Sequence, residues 1–427
     1  MPTELPAASP LDTGRAVRDI FLPLVAHGAA LRRPQVGTLA ERLHADDRAL
    51  RLVRKFRDRY GDGPLLFRIS GRTIGLVLAA DDVRRLLAET PEPFDAATAL
   101  PHFQPHAVLV TDPPLRASRR ELNERALGSH QPVHEHGQRM LEVVREELDT
   151  LTATLGWDEF RSIWSRVVRR IVLGDSARDD TVLTADLDQL RADANWAELH
   201  PRRDEVREGF LDVVAAYVAK AEPGSLVSAL AHDDGVLDPA GQVAEWLVAF
   251  DSAGIALWRL YAVLATRPDE LERIITEARH PDASPLLAHA GAAVQESLRL
   301  WPTIPLVLRE SRASTVWRER TAPAGTEFAI VSSVFQRDDE AVDFANSFQP
   351  SIWLDGRADG SWPILPFSAG PAECPGRNVA LLATSTAVSH VAANYDLDVD
   401  PATRTKLADP LPTTFNHTTI RLGFWRT

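Results

Sequence analysis

Cys374 is the only cysteine in 427 residues, so the chain can close no internal disulfide and must hold its fold by core packing. The thiol is left with two uses, as a small buried hydrophobe or as a thiolate. Its surroundings, Phe367-Ser368-Ala369-Gly370-Pro371-Ala372-Glu373-Cys374-Pro375-Gly376-Arg377, favour the second. Two glycines and two prolines mark a tight loop, and the alanine-rich run 379–391 after it predicts a helix. A sulfur just before a helix N-terminus meets unpaired backbone N–H groups and the positive end of the macrodipole, both of which stabilise the anion. The expected use is as a metal ligand.

The rest of the chain reads as one large, mostly helical unit over 1–427. It is 44% hydrophobic and 25% charged, the balance of a globular protein with a sizeable core, and no Gly/Ser linker, repeat or low-complexity tract divides it. Amphipathic patterns predict helices over 81–89, 138–155, 159–173, 186–193, 205–221 and 287–300. Residues 65–78 alternate around Ser70-Gly71 as a hairpin, and further strands are expected at 327–331 and 420–425. Asp112-Pro113-Pro114 starts a helix, since aspartate caps and proline fits the first turn. The proline-interrupted stretch 94–110 reads as a loop over a pocket. A net charge of −13 argues against a nucleic-acid partner. The apolar run 20–31 is too short to span a bilayer and follows no cleavable signal pattern, so a cytoplasmic protein without membrane contact is expected.

The most apolar segment, 243–266, is also the longest helix candidate, yet it contains Asp251-Ser252. A carboxylate in so apolar a helix is costly to bury without a partner. Either the pair lies on a solvated face, with the serine bonding back to the preceding turn, or an adjacent acid and hydroxyl are there to move protons.

The spacing Phe367-x-x-Gly370-x-x-x-Cys374-x-Gly376 resembles the haem-binding loop of the cytochrome P-450 superfamily. Glu296-Ser297-Leu298-Arg299 is similar to the Glu-x-x-Arg signature of that superfamily, and the order of the motifs agrees. The resemblance implies a mainly α fold with small β-sheets, in which haem b is buried between a long central helix and the helix after the cysteine. Cys374 is then the thiolate ligand of the iron, in a loop shaped by Phe367, Gly370 and Gly376. Glu296 and Arg299 become a structural ion pair. Arg116, Arg120 and Arg309 become partners of the haem propionates, Arg116 and Arg120 sharing a helix face at i, i+4. Asp251 and Ser252 become the acid–alcohol pair that delivers protons to dioxygen, the co-substrate. The implied substrate pocket holds Phe103, Trp196, Phe250, Ala253, Ile304, Leu306 and Phe415, with His102, His200 and Asn416 as polar groups. A small apolar organic substrate is therefore expected.

The chain departs from the superfamily pattern at several positions. Ser252 replaces the commoner threonine and Ala249 a frequent glycine. Ala372 stands where a propionate-binding histidine or arginine is usual, and Ile352 where an arginine joins the Glu296–Arg299 pair, leaving Arg337 or Arg357 as substitutes. Pro375 has no N–H to offer the sulfur, which makes the thiolate more electron-donating, or it simply starts the next helix. No glycine-rich nucleotide loop is present, so electrons are expected from a ferredoxin or flavodoxin with its reductase, docking on Arg119, Arg120, Arg125 and Arg377. The implied function is monooxygenation in bacterial secondary metabolism or catabolism. Two other readings stay open: a haem-thiolate enzyme that uses peroxide, couples or rearranges its substrate, and a non-enzymatic haem sensor.

Overall fold

The computed structural model describes residues 3–28, 30–96, 106–111, 113–195, 203–230, 236–280, 284–359 and 363–427. Its axis is a helix over Pro239–Leu264, which starts four residues before the expected 243. The side chain of Asp238 accepts the Gly241 N–H and Pro239 fits the first turn, so the chain is capped there. This helix is long and apolar enough to cross a membrane, but 72% of its most apolar window is buried inside the protein. Its apolarity therefore builds a core.

Four helices pack on it: Trp157–Leu173, Asp204–Lys220, Ala288–Leu300 and Arg377–Asn394. Trp258 stacks on Phe160 at 4.8 Å between ring centroids, with the edge of Tyr261 on the same ring at 5.9 Å. Gly254 sets how close Trp157–Leu173 can come, since a Cβ there would meet Trp164 at 2.5 Å. The Trp164 indole fills that gap and donates to the Phe250 carbonyl at 2.7 Å.

A second core lies under a five-stranded sheet in the order Leu65–Ile69, Arg72–Leu76, Glu327–Val331, Leu306–Ser311, Phe94–Asp95. The expected hairpin is its first pair. Ser70 and Gly71 both take positive φ (50° and 82°), the turn geometry that matches strand twist. Phe94, Trp317 and Phe328 pack under the sheet with ring centroids 4.6 to 5.6 Å apart.

Some expectations need correction. The helix expected over 138–155 ends at Leu148, and Ala153–Leu155 is a strand paired with Leu422, Gly423 and Phe424. The helix expected at 186–193 runs over Thr181–Ala194, because the Asp180 side chain caps the Leu183 N–H. The stretch 94–110 is not all loop: Phe94 and Asp95 pair with Ser311 and Glu310, and Val108–Val110 forms a helical turn.

Candidate functional site

The cysteine loop closes on itself and on two helices. The Cys374 N–H donates to the Phe367 carbonyl at 2.9 Å, and Arg120 donates to the Glu373 carbonyl at 2.6 Å. Ser129 holds the Pro375 carbonyl at 2.6 Å. Gly370 has φ +69°, and a Cβ there would meet the Leu87 carbonyl at 2.3 Å, so only glycine fits. Gly376 differs: its φ is −93° and a Cβ would touch only Leu127, at 3.8 Å. Nothing in the polypeptide demands glycine at 376, and the small residue leaves the surface beside the sulfur clear for another group.

The helix begins at Arg377 with Gly376 as its cap, so Pro375 lies outside the first turn and does not start it. The sulfur takes its backbone hydrogen bond from Gly376 instead. Burial pushes the Cys374 thiol above its ordinary value, against the Gly376 N–H and Arg120, which favour the anion. Burial thus opposes the anion that the Gly376 N–H and Arg120 favour. A metal cation on the sulfur would stabilise it.

Glu296 and Arg299 are both fully buried. Arg299 meets the carboxylate at 2.7 and 2.8 Å and donates to the carbonyls of Gln336, Phe344, Ala345 and Ser347. Glu296 also accepts the Gln349 N–H at 2.9 Å and the Trp353 indole at 3.0 Å. These two donors stand where Ile352 offers none. Neither expected substitute bonds Glu296: Arg337 is spent on Asn346 and on the carbonyls of Leu300, Leu411 and Pro412, while Arg357 pairs with Asp355.

The three propionate candidates separate. Arg116 already pairs with Asp95 at 2.8 Å, and Arg120 with Glu124 at 2.5 Å. Arg309 is buried, bonds only Thr90 Oγ1 and the Leu308 carbonyl, and makes no ion pair among the described residues. Burial pushes its guanidinium down to about 10, with the Asp95 carboxylate acting the other way from beyond ion-pair distance. A buried cation so poorly matched fits an incoming carboxylate. The expected docking patch shrinks, since Arg119 is buried and spends its donors on Thr111 and the His106 carbonyl. Only Arg125 and Arg377 remain exposed, Arg377 beside Glu373.

Asp251 has the partners its burial requires. Arg161 reaches it at 3.0 Å and Arg191 at 2.7 Å, and both arginines also contact Asp188. Burial raises the carboxyl, but Arg191 and Arg161 outweigh it and hold Asp251 below its ordinary value. Ser252 lies on another face. That face, formed by Glu245, Val248, Ala249, Ser252 and Ala253, is incompletely covered, and Ala249 is exposed although the helix around it is buried. This less covered stretch is about two turns long and sits mid-helix. Arg309, without an ion pair among the described residues, is the cation best suited to an incoming carboxylate.

Glu245 went unnoticed in the sequence. The signal was the one that singled out Asp251, an acid inside the apolar run 243–266. Among the pocket candidates, Phe103 and Trp196, like His102 and His200, lie outside the described residues. Phe250 is in the main core, turned from the uncovered face, so it does not line that space. Ala253 borders it. Ile304 is 56% exposed and Leu306 packs on the sheet core. Phe415 lies against Trp301 at 5.0 Å, and with Asn416 it lines a separate cavity of about 70 Å³ beside Arg32, Arg259 and His27.

Comparison with known proteins matches residues 258–422 to the Cytochrome P-450 family model, a stretch holding Glu296, Arg299, Arg309 and Cys374 but not Asp251 or Ser252. The cyclooctat-9-en-7-ol 5-monooxygenase of Streptomyces melanosporofaciens is 32% identical over 183 residues, 40% of this chain and 39% of that protein. Probable cytochrome P-450 4d20 of Drosophila melanogaster is 30% identical over 151 residues, 32% of this chain and 29% of that protein. The matched stretches thus span well under half of these relatives. The fold matches more widely. The crystal structure of CYP175A1 from Thermus thermophillus has a TM-score of 0.65 at 20% identity, covering 83% of this chain and 89% of that one. Retinoic acid bound cyanobacterial CYP120A1 gives 0.69 at 18%, covering 88% and 94%.

Two outcomes are expected from the buried charges. Glu296→Ala leaves the Arg299 charge uncompensated and should cost about 3–5 kcal/mol, seen as little folded protein or an early denaturant midpoint; a parent-like melt would refute the buried role. Asp251→Asn should cost about 3 kcal/mol near neutral pH. Because the folded carboxyl is held below its unfolded value, that contribution is complete above the unfolded value of about 4 and fades as pH falls further. Denaturation curves of both proteins should therefore converge in acid, and a gap independent of pH would exclude charge as its source.

Proposed function

We propose, from the match of residues 258–422 to the Cytochrome P-450 family model and the likeness of the fold to solved cytochrome P-450 structures, that residues 1–427 form a single haem-thiolate monooxygenase domain acting on an organic substrate. What carries the reading is the cysteine loop, whose one sulfur receives the Gly376 N–H beside a position that the polypeptide does not reserve for glycine. Haem b, when bound, supplies the iron at which dioxygen is activated.

The roles of the chain follow from its geometry. Cys374 gives its sulfur as the ligand, and Arg120 keeps the loop closed through the Glu373 carbonyl. Arg309 neutralises a propionate, with Arg116 and Arg120 second to it because each already holds a carboxylate. Ser252 offers a hydroxyl with no partner among the described residues, free to pass a proton at Oγ on the incompletely covered face. Asp251 supplies protons to it from outside. Since both its oxygens are held by arginines, the carboxylate must rotate off at least one of them to do so. Ala249 and Ala253 on the uncovered face favour a largely apolar substrate body. The electrons come from a separate ferredoxin or flavodoxin with its reductase, in the cytoplasm; the support for this is the family, since the expected arginine patch is reduced.

Dioxygen labelled with oxygen-18, given with a surrogate ferredoxin and reductase, tests the reaction: label in the product is expected, and turnover with peroxide alone would replace this reading. Cys374→Ser should abolish the strongly red-shifted Soret band of the ferrous carbonyl adduct, and an unchanged band would remove Cys374 from the iron. Ser252→Ala and Asp251→Asn should retain haem while diverting electrons to peroxide or water. Full coupling in both would dismiss the relay.

A further inference from the structure

Glu245 lies seven residues before Ser252 on the central helix. Positions 245, 249 and 252 repeat at i, i+4, i+7 and so share one face, the uncovered one. Its Oε1 is buried with no hydrogen-bond partner, and no ion pair reaches the side chain among the described residues. Burial is the only influence on this carboxyl, and it pushes it up to about 7.

No nearby donor reaches it, although the Nε–H of Arg119 is itself buried without a partner. Gln242, one turn earlier, bonds the His106 carbonyl. Arg119, from the helix over Pro113–Ala126, bonds that carbonyl and Thr111. Arg161 and Arg191 hold Asp251 and Asp188. A buried carboxyl oxygen left without a partner is costly, and the partner the fold withholds can come from a ligand on the incompletely covered face.

We propose that Glu245 is a specificity-determining residue of the substrate cavity, and that the substrate carries a cationic nitrogen which seats against its carboxylate. The apolar remainder of that substrate lies along Ala249 and Ala253 toward Ser252. Seven residues of helix rise by about 10 Å, so the oxidised atom lies on the order of 10 Å from the nitrogen. This inference rests on the uncovered face being the substrate side of a haem site, as proposed above.

The test uses the haem-loaded protein after its carbonyl spectrum has verified thiolate ligation, so a failure of the haem reading is seen first and separately. Three probes are titrated: trimethyl(4-phenylbutyl)ammonium, which cannot coordinate iron, its uncharged carbon isostere (5,5-dimethylhexyl)benzene, and 5-phenylpentan-1-ol. The Soret shift on loss of the water ligand reads binding, and equilibrium dialysis reads it again without the spectrum. The parent should prefer the ammonium over its isostere by about tenfold or more. Glu245→Gln, with unchanged haem content, should lose that preference while binding the isostere as before. Equal binding of ammonium and isostere by the parent overturns the proposal, as does an ammonium affinity that Glu245→Gln leaves intact. A preference for the alcohol over the ammonium also overturns it, since a neutral donor would then be the partner.

Discussion

The cysteine loop depends on one buried ion pair. Glu296 and Arg299 are both inaccessible to solvent, and such a pair stabilises a fold only when every remaining donor and acceptor is answered. Here they are answered largely by the connecting chain between the short helix Ser332–Gln336 and the helical turn Pro350–Trp353. Four carbonyls between Gln336 and Ser347 take the guanidinium, and Gln349 and Trp353 take the carboxylate. The pair thereby ties the stretch leading into the loop onto Ala288–Leu300, which packs against the helix that follows the cysteine. The position of the sulfur is a consequence of charges well away from it in sequence.

On the central helix, two carboxylates six residues apart meet opposite conditions. Asp251 faces Trp157–Leu173 and Thr181–Ala194, each of which presents an arginine, so it stays ionised inside the protein. Glu245 lies on the incompletely covered face with no counter-charge, so nothing offsets its desolvation. The same helix therefore carries one anion fixed by the scaffold and one that awaits a partner.

Local patterns were legible where local forces decide. The hairpin at Ser70-Gly71 follows from two residues that tolerate positive φ, and the Glu-x-x-Arg spacing places both charges on one helix face. Ala153–Leu155 misled because its strand character comes from Leu422–Phe424, too far along the chain for periodicity to register. The arginines misled for a related reason. A guanidinium looks alike in sequence whether it is matched, as Arg116 is by Asp95, or unmatched, as Arg309 is, and only the folded neighbours tell them apart. The replacement of an arginine at Ile352 by a backbone N–H and the Trp353 indole was equally invisible, because backbone donors leave no mark on a motif.

The interior charges sort into those the protein answers and those it leaves for something else. Asp95, Asp251 and Glu147 are each met by arginines, and Arg259 and Arg337 by carbonyls that close over them. Against that background Arg309 and Glu245 stand out, a cation without an ion pair among the described residues and a carboxyl with no counter-charge. A single ligand of one sign would relieve one and aggravate the other, so their coexistence argues for two different occupants. One carries carboxylates and lies by the sheet, where Arg309 projects from Leu306–Ser311; the other brings positive charge to the central helix at Glu245. A prosthetic group with propionates meets the first requirement, and a cationic substrate meets the second.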